Sequence, residues 1–149
     1  MGIFSKKVKA EKKTEIHNEI DLNIDSFEYL YSDKTDGGTE FKIYSKQLEK
    51  LAFNLFTKID MYEFADGSKN VFLRSDINNT DYDELKIFVN RLIQLYGNDF
   101  TNSGQLTEDE IDNIAISNFW SGRTWDKIKP IISIDALDEE YFTLTFLGI

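Results

Sequence analysis

Residues 81–97, DYDELKIFVNRLIQLYG, set Leu85, Phe88, Val89, Leu92 and Tyr96 at the spacing of one helical face. A stripe of this kind must lie on something. The runs rich enough in aromatic and β-branched residues to receive it stand on either side and read as strands. The fold class that follows is α+β. It is a single two-layer domain, a mainly antiparallel sheet with two main helices and one short helix packed on one face. The helix ends are also written in the chain. Asp81 caps the first turn, Glu84 three residues on has the spacing of a capping box, and Gly97 ends the helix. A Leu, Phe and Val stripe is the signature of a core face, so this helix is assigned no chemistry.

The remaining elements follow from punctuation and period. Ile20, Leu22 and Ile24, then Phe27, Tyr29 and Tyr31, alternate with polar residues as a half-buried strand or a bent pair. Asp36, Gly37 and Gly38 turn the chain into a second strand carrying Phe41 and Ile43. Beyond Ser45, a possible cap, Leu48, Leu51, Ala52, Leu55, Phe56 and Ile59 fall at helical offsets and predict the second main helix. Asp66, Gly67 and Ser68 predict a hairpin over about residues 59–75. Thr107 and Glu110 form a capping-box pattern that opens a short helix with Ile111, Ile114 and Ala115. IKPIISID and YFTLTFL close the chain as alternating strands, Pro130 fitting a strand start or an edge. DINNTDYDELKI is rejected as a calcium loop, because Asp81 stands where the turn glycine belongs and Ile87 where the bidentate glutamate belongs.

Composition removes several functional classes. The 149 residues include no Cys, which excludes disulfides, thiolate metal sites and a cysteine nucleophile. His17 is the single histidine and is read as a solvated bystander in a polar N-terminal segment, leaving no imidazole triad within one chain. No metal or cofactor is expected. The longest apolar runs, such as residues 51–53 and 87–89, are three residues long, too short for a membrane span or a signal core, so a cytoplasmic protein is expected. The net charge of −10 argues against specific nucleic-acid binding, which requires clustered Lys and Arg. Residues 1–13 hold five lysines against one glutamate, a local +4, so the rest of the chain carries −14. Residues 1–18 are therefore read as a flexible basic tail and residues 19–149 as the α+β domain. Phe4, Lys6, Lys7 and Lys9 are the tail residues that would meet a membrane surface or a polyanion.

Within the body, Phe119, Trp120, Arg123 and Trp125 crowd the segment NFWSGRTWD, a composition typical of binding hot spots. If Ser121 and Gly122 make a two-residue turn, Arg123 stacks across the hairpin on Trp120. If the segment is instead one strand, Trp120 and Trp125 point to opposite faces. One tryptophan is expected in the core and the other at the surface, where it would anchor a partner. The acidic run Glu108, Asp109, Glu110 and Asp112 is what the helix dipole favours in a first turn and needs no catalytic role. The functional expectation is a small acidic intracellular protein-interaction module, of the inhibitor or immunity type, that masks a basic partner. The alternatives are a carboxylate-dependent hydrolase and a peripheral membrane protein held by its basic tail.

Overall fold

The computed structural model describes residues 15–149, so the tail contacts assigned to Phe4, Lys6, Lys7 and Lys9 lie outside the described residues. Seven strands form one antiparallel sheet: β1 (Glu28–Lys34), β2 (Glu40–Ala52), β3 (Phe56–Phe64), β4 (Lys69–Asp76), β5 (Trp120–Trp125), β6 (Ile131–Ala136) and β7 (Tyr141–Leu147). Their spatial order is β1-β2-β3-β4-β7-β6-β5. Between β4 and β5 the chain forms α1 (Tyr82–Tyr96) and α2 (Glu108–Ser117), and these helices pack on one side of the sheet. The α+β class is what the structure has.

The stripe on α1 meets the sheet as its spacing requires. Leu85, Phe88, Val89 and Leu92 are buried with Met61, Val71, Leu73, Phe142, Leu144 and Phe146 in one core. Burial of each of these α1 side chains is worth about 1.5–3 kcal/mol relative to exposure. Asp81 caps α1 by accepting from the amides of Asp83 and Glu84, and the amide of Gly97 closes it on the carbonyl of Ile93. The capping box is absent at α1 but complete at α2, where Thr107 and Glu110 satisfy each other's end of the turn. The hairpin about Asp66 and Gly67 joins β3 to β4, with the Asp66 carboxylate accepting from the Ser68 amide and hydroxyl.

Four local readings are corrected. The helix expected from Ser45 to Ile59 is strand. Residues 41–47 of β2 pair one-for-one with β3, and only then do residues 48–51 loop out before Ala52 pairs with Phe56. That irregularity turns Leu48 and Ala52 toward the core and leaves Leu51 exposed, reproducing a helical spacing without a helix. Tertiary pairing on both sides of β3 overrides the helix propensity of Lys, Gln and Leu. The strand expected from Ile20 onward begins at Glu28. Residues 20–27 run through a short turn instead, with Ile20, Leu22, Ile24 and Phe27 packed against the core. Ile16, expected among the solvated tail residues, is fully buried, and its amide donates to the Tyr96 hydroxyl at 2.9 Å. His17, read as solvated, lies edge-on to Phe146 at 6.0 Å, with Nε2 3.3 Å from the Glu15 carboxylate.

Candidate functional site

The segment that carries the predicted anchors folds as one strand with a glycine bulge. Between Trp120, opposite Ala136, and Arg123, opposite Ile134, two residues stand unpaired. The bulge resets the alternation, so Trp120, Arg123 and Trp125 all face the helices and are all buried, at 4%, 3% and 3% exposure. The expectation of one surface tryptophan is therefore corrected. Gly122 is required at the bulge: it has φ of +79°, and a Cβ there would lie 1.8 Å from the carbonyl oxygen of Ile134.

Buried polar groups need partners, and this strand finds them in α2 and the loop before it. Arg123 makes a two-pronged bond to the Glu110 carboxylate, at 2.8 Å from Nη1 and 2.6 Å from Nη2. Its Nε donates to the carbonyl of Gly104 and its Nη2 to that of Gln105. The Trp120 indole donates to the same glutamate at 2.8 Å, and the guanidinium lies 5.6 Å from the Trp120 ring. The Trp125 indole donates to the carbonyl of Gly97 at 2.8 Å. Burial alone would raise the Glu110 carboxyl, but hydrogen bonds from Arg123, Trp120 and Thr107 outweigh it and hold the group down at about 2. Sequence reading recognised Glu110 only as a cap. Its pairing with Arg123, thirteen residues on, carries no local signal.

Phe119 alone of the four predicted anchors remains at the surface, at 45% exposure. It does not stand by itself. Trp120 and Ala136 are paired, so Phe119 and Leu137 flank the same end of the ladder, and Ile116 precedes Phe119 by three residues at the end of α2. Leu137 is 60% and Ile116 86% exposed. In the stretches of chain that carry them, Glu108, Asp109 and Asp112 on α2, and Asp138, Glu139 and Glu140 after β6, are all exposed. No Lys or Arg occurs between residues 92 and 122, nor from 131 to 149. Among the described residues Glu108 pairs with Lys86, and Asp138 lies 3.8 Å from Arg74, whereas Asp109, Asp112, Glu139 and Glu140 have no ion-pair partner.

A second gathering of charge lies on the helix-free face of the sheet. Register aligns Lys58, Arg74, Thr143 and Asp135 in one row, with Asp60 in the next. Arg74 donates to Asp60 at 3.1 Å and stands near Asp138. Asp135 is pushed up to about 6, by burial first and by the neighbouring Asp138 second, against the pull of Arg74. Such a carboxyl can hold or release a proton near neutral pH. No helix among the described residues is long and apolar enough to cross a membrane. No protein-family model, curated protein or solved structure matches this chain.

Proposed function

We propose that the protein is an interaction module that docks a basic partner at the corner formed by α2, the start of β5 and the loop after β6. It would act there as an inhibitor or immunity-type factor. The observation that carries this reading is the exposed apolar group Ile116, Phe119 and Leu137, set in stretches of chain that hold acidic residues but no Lys or Arg. An apolar centre with a charged rim is the anatomy of a docking surface. The centre supplies most of the binding energy, and the rim supplies steering and partner choice. The Arg123–Glu110 pair beneath this corner supports the reading, because it fixes α2 to the sheet and so presents the patch as a preformed surface.

The test is affinity capture from the source cells with the intact chain, followed by binding measurements on the purified partner. A basic partner is expected. Phe119→Ala and Leu137→Ser should weaken its binding mainly through faster dissociation. Glu139→Lys with Glu140→Lys should slow association, and raised salt should do the same. A captured partner that is acidic, or that binds these variants as well as the original chain, overturns the reading.

A further inference from the structure

β1 is the least covered element of the sheet. It ends the strand order, so among the described residues its outer row of backbone N–H and C=O groups has no strand to pair with. All seven of its residues are exposed, which means that neither face of the strand is covered. Yet it carries Tyr29, Leu30 and Tyr31 at 52%, 45% and 53% exposure. Edge strands of soluble proteins are ordinarily shielded by charge, bulges or a covering loop. The opposite edge is treated in that way, since the loop after α1 lies along β5 and the Phe100 amide donates to the Thr124 carbonyl at 2.6 Å. On β1 these devices are limited to a bulge between Tyr29 and Tyr31 and to the terminal charges Glu28, Asp33 and Lys34, and they leave residues 31–34 paired in regular register with β2.

We propose that β1 is a self-association edge, through which two copies of this chain pair antiparallel and continue the sheet across both. The occupant follows from the order of charges in EYLYSDK. A two-fold axis near Tyr31 lays the Glu28 end of each strand against the Lys34 end of the other and brings the two Tyr31 side chains together. Tyr29, beside that axis, is already partly held in place, which lowers the entropy cost of pairing. The Tyr29 ring meets Tyr44 edge-on at 5.6 Å, and its hydroxyl is 2.7 Å from that of Ser32. Each copy carries a net charge of −10, so self-association must overcome repulsion and strengthens as salt screens it. Docking of a basic partner has the opposite salt dependence. The two surfaces therefore succeed or fail separately.

The experiment exploits the absence of cysteine from the chain. Tyr31→Cys places one thiol at the proposed axis, and Asp36→Cys places one in the exposed β1–β2 turn as a control. Analytical ultracentrifugation of the unaltered chain should show a concentration-dependent dimer that grows with salt. Under mild oxidation the Tyr31→Cys chain should cross-link and the Asp36→Cys chain should not. Glu28→Lys should deplete the dimer, and adding Lys34→Glu should restore it, because the opposed charges then pair again. Circular dichroism of each variant checks that the body remains folded, which an exposed strand permits. A chain that stays monomeric at high salt and at the highest soluble concentration overturns the proposal. A dimer in which the two thiols cross-link equally also overturns it. So does cross-linking through residue 31 that appears only after residues 1–14 are removed, which would give the edge to the tail.

Discussion

The two edges of the sheet are built in opposite ways. β5 buries Trp120, Arg123 and Trp125, is tied to α2 through Glu110, and is covered along its outer side by the loop before α2. β1 buries nothing and, among the described residues, is held to β2 by its ladder and by side-chain contacts such as Tyr29 on Tyr44. The difference does not come from apolar content, since both strands carry large aromatics. At β5 a helix is available to receive the side chains and a carboxylate to satisfy their polar atoms, whereas at β1 neither exists among the described residues. Hydrophobic side chains alone do not make a strand part of a core; a second layer opposite them does.

The most severe way to break this contrast is Gly122→Ala. The added methyl would meet the Ile134 carbonyl in a backbone conformation that alanine resists. A loss upward of about 4 kcal/mol is expected in urea unfolding followed by circular dichroism, and a midpoint near that of the original chain would refute the bulge geometry. Next come Trp120→Ala and Trp125→Ala, each expected to cost about 3–5 kcal/mol. In the corresponding single-tryptophan proteins the remaining indole should resist acrylamide quenching, and ready quenching of either would return it to the surface.

Glu110→Gln keeps the shape of the side chain but removes the countercharge of a buried guanidinium, and about 2–3 kcal/mol should be lost at neutral pH. Its pH dependence sharpens the point. Glu110 is held at about 2 in the fold, below its ordinary 4.5, so its contribution is complete above pH 4.5 and disappears as the pH falls toward 2. Melting profiles of Glu110→Gln should lack that acid-side loss. Asp135 works in the other direction, because its folded value of about 6 exceeds the ordinary 3.8. The fold then binds the extra proton, and stability declines as the pH rises from about 4 through 6. Asp135→Asn should flatten that segment and stabilise the chain above pH 6. The smallest effect is expected at the other edge, where Tyr29→Ser with Tyr31→Ser should change stability by no more than about 0.5 kcal/mol in the monomer. A large loss there would show that β1 is part of the core after all.

Much of the fold was legible because its signals are local. The α1 stripe, the Asp81 cap, the Thr107 and Glu110 box, the Asp66 turn and the alternation of β6 and β7 each lie within a few neighbouring residues, and each stands where expected. The misreadings lie where a regular period is interrupted or absent. β2 mimicked a helix because a four-residue irregularity against β3 restored a spacing of three and four. Trp120 and Trp125 were expected to part because strict alternation was assumed, and the bulge broke it. Ile16 was assigned to the tail because one apolar residue among polar neighbours has no periodicity to reveal it. The candidate docking corner was half visible. Phe119 stood out in the sequence, whereas Leu137 joined it only through the pairing of β5 with β6, and Ile116 only because the end of α2 leaves it exposed.

Next to the unpaired step at Ser121 and Gly122, chain length, as well as chain composition, is a condition of this fold. A strand is read in pairs, one residue in and one out, and the bulge inserts an uncounted position into that reading. Deleting either residue would remove that extra position and leave one residue opposite Asp135, a regular ladder in which Trp120 and Arg123 still face the helices. Deleting Thr124 instead would act as a frameshift in space, because Arg123 and Trp125 would become neighbours in the strand and would no longer face the helices together. A one-residue deletion at Ser121 should therefore be far better tolerated than a one-residue deletion or insertion between Arg123 and Trp125. In the turn between β1 and β2, where residues 35–39 are all exposed, the chain should lengthen or shorten freely.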